Sequence, residues 1–214
     1  MKTKLFVFSG LGVDKRIFEK LDLSEFDCVF IDWIQAEKNE TLQQYAFRIS
    51  KDIPENASIL GVSFGGMLAI EIANHKKTNH LFLISSAKTK FELPLLYRLA
   101  GKIGLIRLLP STLLKKANFI SYWFFGMKTS EEKRLLKEIL TDTNSCFLKW
   151  AMRVICLWNN VKAPENFTHF HGSADRILPF RKINGATKIE NGGHLMVYSQ
   201  AKDISIVMKS TFSD

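Results

Sequence analysis

Short apolar runs alternate along the chain with longer segments of helical periodicity. The short runs are rich in β-branched and aromatic residues, which is typical of buried strands, and they occupy 5–8, 28–31, 58–62, 81–84 and 168–171. The longer segments repeat their apolar residues at helical spacing and occupy 14–21, 41–53, 64–75 and 195–212. This alternation predicts an α/β fold, in which helices cover both faces of a mostly parallel sheet.

The segment 88–160 breaks this alternation. Its pattern is helical almost throughout, and it contains three of the four tryptophans of the chain. We interpret it as a helical cap inserted between the fourth and fifth strands of a single domain that spans 1–214. Ligands of parallel sheets bind at the carboxyl ends of the strands, so a cap over those ends would cover a functional site.

The composition is that of an ordinary globular protein, with 46% hydrophobic residues and a mean hydropathy of −0.01. No run of 18 or more apolar residues occurs, so we expect no transmembrane segment. The apolar run 5–8 is too short for a signal-peptide core and is interpreted as the first strand. The three cysteines, Cys28, Cys146 and Cys156, are odd in number and widely spaced, which favours free thiols and a cytoplasmic location.

The formal net charge of +9 is concentrated in the cap segment, where 13 Lys or Arg residues face 5 Asp or Glu residues. One interpretation is a set of solvated helix faces. Another is a basic lid over an anionic substrate, a carrier or a membrane surface. We expect no nucleic-acid partner, because no nucleic-acid-binding motif accompanies the charge.

The segment 61–66, with the sequence GVSFGG, carries the clearest chemical signal. It follows the strand residues 58–60 and opens the helical segment that begins at Phe64. A G-x-S-x-G motif between a strand and a helix is typical of a nucleophile elbow, which holds its serine exposed at the top of a sheet. Ser63 is therefore the candidate nucleophile. The alternative is a glycine-rich helix start that binds an anion or simply packs closely.

A nucleophilic serine needs a base, and a base needs an acid that orients it. Of the five histidines, His194 follows two glycines in a loop between a predicted last strand and the last helix. Asp175 lies in the turn after the strand run 168–171, so the chain order is Ser, Asp, His. We predict that His194 is the base and that Asp175 accepts its Nδ1–H. An Asp in such a turn can also serve only as a helix cap.

Acyl transfer also requires donors for a tetrahedral oxyanion. One predicted donor is the backbone N–H of Phe64, directly after the candidate nucleophile. The other is the backbone N–H of Leu11, in the Ser-Gly-Leu-Gly loop that follows the first strand. A plain glycine turn is the alternative for this loop.

These segments together resemble the α/β-hydrolase superfamily over nearly the whole chain, and in particular its small esterase-like and thioesterase-like members with a helical cap. The resemblance implies a trimmed sheet of about six strands, because the first two strands usual in the family are missing. Ser9 stands where many relatives have a histidine ahead of the oxyanion loop. The superfamily hosts several reactions and also non-catalytic receptors, so its fold alone does not fix the chemistry.

We therefore expect hydrolysis of a carboxylic ester or thioester with an apolar acyl group, through an acyl-enzyme on Ser63. Acyl-coenzyme A and acyl carrier protein are candidate substrates because of the basic cap. Trp123 and Phe124 are the candidate substrate-binding residues of its aromatic stretch. No metal and no cofactor are expected. A C–C bond hydrolase and a ligand-binding protein that retains the three residues are the alternatives.

Overall fold

A six-stranded parallel sheet forms the centre of the computed structural model, which describes residues 2–108, 110 and 115–210. The strands are β1 (Thr3–Phe8), β2 (Phe26–Phe30), β3 (Ala57–Val62), β4 (Thr78–Ile84), β5 (Phe167–Gly172) and β6 (Thr187–Ile189). Their order across the sheet is β2-β1-β3-β4-β5-β6. The predicted α/β class, the parallel sheet and its strand number are confirmed.

Alternate residues of each strand enter two different hydrophobic clusters, one on each face of the sheet. In β1, Phe6 and Phe8 belong to one cluster, whereas Leu5 and Val7 belong to the other. Burial on both faces explains why β3 is apolar or small at every position and buried throughout.

The helices of the described residues are α1 (Leu42–Ile49), α2 (Phe64–Ala73), α3 (Leu95–Lys102), α4 (Phe119–Phe125), α5 (Ser130–Asp142), α6 (Ser145–Leu157), α7 (Met196–Ser199) and α8 (Ala201–Ser210). Thr41 caps α1 through a capping box with Gln44. The predicted helix over 195–212 is divided at Gln200, and its last two positions lie outside the described residues.

The predicted helix over 14–21 is wrong in type. Only Lys15–Phe18 is helical there, as a 3₁₀ turn whose start is capped by the carboxylate of Asp14. Its hydrogen bonds join residues three apart, as between the Glu19 N–H and the Arg16 carbonyl. A single turn suffices because it already buries Ile17 and Phe18 against the sheet.

Helices α3 to α6 lie in the chain between β4 and β5 and form the region that we call the cap. Its two longer helices pack on different faces of the sheet: Leu136 and Ile139 of α5 join one hydrophobic cluster, and Trp150 and Val154 of α6 join the other. The cap therefore passes over the carboxyl end of the sheet. In the described part of the chain, no helix is long and apolar enough to cross a membrane.

Candidate active site

Ser63 occupies a strained turn between β3 and α2. Its φ of 52° and ψ of −114° lie outside the regions that non-glycine residues ordinarily adopt. The turn can form because its glycines allow very close backbone contacts: a Cβ at Gly65 would overlap the Ser9 carbonyl oxygen, and a Cβ at Gly61 would overlap the Gly65 carbonyl oxygen. The geometry projects the Ser63 hydroxyl from the carboxyl end of β3, as in a nucleophile elbow.

The structure brings Ser63, His194 and Asp175 into one hydrogen-bonded chain. The Ser63 Oγ lies 2.8 Å from His194 Nε2, and His194 Nδ1 lies 2.7 Å from Asp175 Oδ2. A carboxylate can only accept, so Nδ1 carries a proton and Nε2 of the neutral ring is left to accept the hydroxyl proton of Ser63. His194 and Asp175 are buried, and Ser63 is half-buried.

Asp175 is held by four donors. The backbone N–H groups of Ile177 and Leu178 donate to Oδ1 at 2.8 and 2.9 Å. His194 and His171 face Oδ2 at 2.7 and 3.3 Å. Burial raises the pKa of the Asp175 carboxyl, but electrostatic attraction to His194 and hydrogen bonds from His171 and His194 outweigh burial and hold that pKa well below its ordinary value. Asp175 is therefore ionised and oriented at neutral pH.

The loop that carries His194 rests against the C-terminal end of cap helix α4. The Leu195 N–H donates to the Phe125 carbonyl at 3.2 Å, and a Cβ at Gly193 would lie 2.9 Å from the Cα of Gly126. The Phe125 ring meets the His194 ring edge to face, with 6.0 Å between centroids. The cap thus supports the base directly.

Behind Asp175, the side chains of β5 extend the polar chain into the interior. His171 Nε2 lies 2.7 Å from the Leu178 carbonyl oxygen, which only accepts, so this nitrogen carries the proton, and it lies 3.3 Å from Asp175 Oδ2. His171 Nδ1 must then accept, and it lies 3.4 Å from His169 Nε2. Both rings are on one face of the strand because they are two residues apart.

Lys88 determines which ring nitrogens donate and which accept in this series of hydrogen bonds. Its buried ammonium donates to Glu92 Oε1 at 2.9 Å, to the Asn184 carbonyl at 2.6 Å and to His169 Nδ1 at 3.2 Å, which uses all three protons. Burial, and then the positive charge of Lys88, hold the pKa of His169 well below its ordinary value, so this ring is neutral. Hydrogen bonds therefore run from Lys88 through the two histidines to the Leu178 carbonyl, beside Asp175.

The predicted oxyanion donors lie on either side of Ser63. Phe64 is the first residue of α2, so its N–H has no partner within the helix. The loop with Leu11 passes close to the elbow, since a Cβ at Gly10 would lie 3.3 Å from the Ser63 Cβ. Leu11 and Phe64 both line the cavity into which Ser63 opens.

This cavity has a volume of about 370 Å³ and lies between Ser63 and the cap. Its wall is formed by Leu, Ile, Met, Phe and other small or apolar side chains, including Met67, Leu148 and Met152. None of the described lining residues is Lys, Arg, Asp or Glu. Such a site suits an uncharged, apolar group of modest size.

The structure does not place Trp123 and Phe124, the candidate substrate-binding residues, at this cavity. Both side chains are exposed on the outer surface of α4 and neither lines the cavity. Ser121 and Phe125 of the same helix line it instead, because residues four apart share a helix face and this face is turned inward. The Arg176 guanidinium stacks on the outer Trp123 ring at 4.4 Å.

The contact of His171 with Asp175 was not predicted from the sequence. The sequence could have indicated this contact, because residues two apart in a strand share a face, so His169 and His171 lie on one side of the sheet just before the Asp175 turn.

Comparison with known proteins places the fold. No protein-family model matches the chain, and no curated protein matches it. Two solved esterases superpose closely: EaEST from Exiguobacterium antarcticum has 17% sequence identity and a TM-score of 0.72, and a thermophilic esterase from Thermogutta terrifontis has 12% and 0.73. The alignments cover 99% and 100% of this chain, and 92% and 90% of the two esterases. The chain has the α/β-hydrolase fold.

A bromoperoxidase from Bacillus anthracis is also similar, with 10% sequence identity and a TM-score of 0.64, over 100% of this chain and 93% of that one. Proteins named for different activities thus share the α/β-hydrolase fold of this chain. The reaction must accordingly be argued from the residues around Ser63.

Proposed function

We propose that this α/β-hydrolase is a serine hydrolase that cleaves a carboxylic ester with an apolar acyl group through an acyl-enzyme on Ser63. The observation that carries the proposal is the Ser63–His194–Asp175 hydrogen-bonded chain at the floor of an apolar cavity. The esterase structures with the same fold raise the expectation of this chemistry without fixing the substrate.

In the proposed mechanism, His194 Nε2 takes the Ser63 proton as Oγ attacks the ester carbonyl. The N–H groups of Leu11 and Phe64 donate to the resulting oxyanion, and Asp175 stabilises the imidazolium of His194. The imidazolium then protonates the departing alkoxide, which leaves the acyl group on Oγ. Water, deprotonated by His194, releases the acid and regenerates Ser63.

The cavity wall favours an oxygen ester over a thioester. A thioester would react through the same atoms. However, the described wall offers no Lys or Arg for the phosphates of an acyl-coenzyme A or for an acidic carrier protein. The volume of about 370 Å³ lies near the lower end of ligand cavities, about 300–1,000 Å³. We therefore infer a small-molecule ester with a short to medium acyl chain.

The test combines labelling with a substrate panel. Wild-type protein should react with a fluorophosphonate probe and hydrolyse p-nitrophenyl esters, with an optimum at short to medium acyl length. Ser63→Ala should lose the label and lower kcat by about 10⁴-fold or more. Ser9→Ala offers a nearby serine as control, and it should keep the label. Labelling and activity that persist in Ser63→Ala would require a different nucleophile and would refute the proposal.

A further inference from the structure

The cap carries an unusual number of large apolar side chains on its outside. They lie on α3, on α4 and on the turns beside them, and each is exposed: Phe91, Leu95, Leu96, Leu99, Ile103, Leu105, Phe119, Ile120, Trp123 and Phe124. We call this set the outer cap face. Leu96 is 76% exposed and Phe119 is 80% exposed, so these are not partly covered core residues. Exposed apolar surface of this kind marks an interaction site.

Helices α3 and α4 present apolar side chains both to the cavity and to the solvent. In α4, Ser121 and Phe125 line the cavity, while Trp123 and Phe124 are turned outward. In α3, Tyr97 lines the cavity and bonds the Ile177 carbonyl at 3.0 Å, while Leu96 is turned outward. An ordinary surface helix would present polar residues on its outer side.

The charge of this region is of one sign. Between positions 89 and 128 the sequence contains seven Lys or Arg residues and one acidic residue, Glu92. Glu92 is buried and its carboxylate is bound to Lys88, so it offers no negative charge to the surface. The segment that carries the outer cap face therefore combines exposed apolar side chains with an excess of basic residues.

The charges and the apolar side chains belong to the same surface. The Lys90 ammonium and the Arg98 guanidinium lie 5.3 and 5.9 Å from the centroid of the exposed Phe91 ring. The Arg176 guanidinium lies 4.4 Å from the exposed Trp123 ring. Basic groups interleaved with exposed aromatic rings are suited to a lipid–water interface, where rings enter the headgroup layer and cations meet lipid phosphates.

We propose that the outer cap face docks on the surface of an anionic lipid bilayer. A second copy of the chain fits poorly, because joining two such faces would oppose like charges across the contact. A bilayer accepts dispersed apolar side chains without a shaped partner surface, and anionic headgroups attract each nearby Lys or Arg. Docking would bring the cap helices that line the cavity to the membrane surface, and with them the path to Ser63.

The experiment measures binding of the full chain to vesicles by flotation. One vesicle contains phosphatidylcholine alone, and the other contains equal parts of phosphatidylcholine and phosphatidylglycerol. The chain should float with the anionic vesicles only, and added salt should release it. Leu96→Ser/Ile103→Ser and, separately, Lys90→Glu/Arg98→Glu should each weaken this binding by about tenfold or more.

Matched controls place equivalent changes elsewhere on the surface. Phe47→Ser/Ile206→Ser replaces two exposed apolar residues outside the outer cap face, and Lys51→Glu/Lys202→Glu makes the same charge change there. Both controls should bind anionic vesicles as wild type does. Ser63→Ala should also bind normally, so docking is tested independently of the proposed hydrolysis.

Three results would overturn the proposal. The first is equal binding to both kinds of vesicle, and the second is equal loss of binding in the control variants and the outer-cap variants. The third is a dimer, seen by sedimentation in the absence of lipid, that dissociates in Leu96→Ser/Ile103→Ser, because a second copy would then cover this face.

Discussion

His171 is the residue whose replacement tests the polar chain behind the proposed triad. In His171→Phe, a ring of similar size remains, but Asp175 loses the donor that faces it at 3.3 Å. The Asp175 carboxylate would then interact more strongly with His194 and stabilise the imidazolium of that residue further. We expect the acid limb of the kcat/KM profile to move to higher pH, with KM nearly unchanged.

The size of this shift follows from the geometry. Hydrogen bonds to charged groups contribute about 1.5–3 kcal/mol. The His171 contact is long, and its proton is directed at the Leu178 carbonyl at 2.7 Å, so we take about 1.4 kcal/mol as the upper limit, which corresponds to a shift of at most about one pH unit. The variant also leaves the Leu178 carbonyl and the His169 N–H without these partners, so we expect a loss of about 2–4 kcal/mol in unfolding free energy.

The assay is the pH dependence of kcat/KM on a short ester, measured beside urea unfolding. His171→Gln keeps an amide donor and should restore part of the acid limb toward its wild-type position. His80→Phe removes a half-buried histidine of β4 that bonds Thr168 at 2.9 Å, and it should lower stability without moving the limb. An unmoved acid limb in folded His171→Phe would refute the reasoning and leave His171 a packing residue.

Three other substitutions test separate parts of the structure. Phe125→Ala opens the cavity wall and should lower kcat/KM for medium-chain esters by about tenfold, since burying an aromatic ring contributes about 1.5–3 kcal/mol, whereas Trp123→Ala should leave hydrolysis of soluble esters unchanged. Gly65→Ala forces a Cβ into the Ser9 carbonyl of the oxyanion loop, so we expect insoluble or inactive protein. Soluble protein with esterase activity would contradict the described elbow. Lys88→Met leaves the buried carboxylate of Glu92 without its ion-pair partner and should lower the unfolding free energy, measured by urea denaturation, by about 3–5 kcal/mol. The double variant Glu92→Gln/Lys88→Met removes the unpaired charge and should recover part of that stability.

The fold and the three candidate catalytic residues could be predicted from the sequence because their signals are local. Strand and helix periods predicted the α/β class, and the GVSFGG turn between a strand and a helix identified Ser63. The chain order of Ser63, Asp175 and His194 then selected among several candidates, because the carboxyl ends of parallel strands meet at one edge. The glycines follow the same logic, since the close contact of Gly65 with the oxyanion loop is required by the turn itself.

The 3₁₀ turn at Lys15–Phe18 shows where local pattern stops being sufficient. Ile17, Phe18 and Leu21 have helical spacing, yet a single turn buries the first two against the sheet. The sheet face on which these residues pack determines how much of the segment needs to be helical, and that face is assembled from distant parts of the chain.

Helix α4 gives the sharpest contrast. Its sequence, FISYWFF, is apolar on nearly every side, so its periodicity has no polar face that could indicate which rings turn outward. Only the packing of its C-terminal end against the His194 loop turns Phe125 inward and leaves Trp123 and Phe124 outside. The sequence by itself predicted the alternation of strands and helices and the three candidate residues at the strand ends. The tertiary structure decided the facing of the cap helices and the contact of His171 with Asp175, because both depend on neighbours that are remote in sequence.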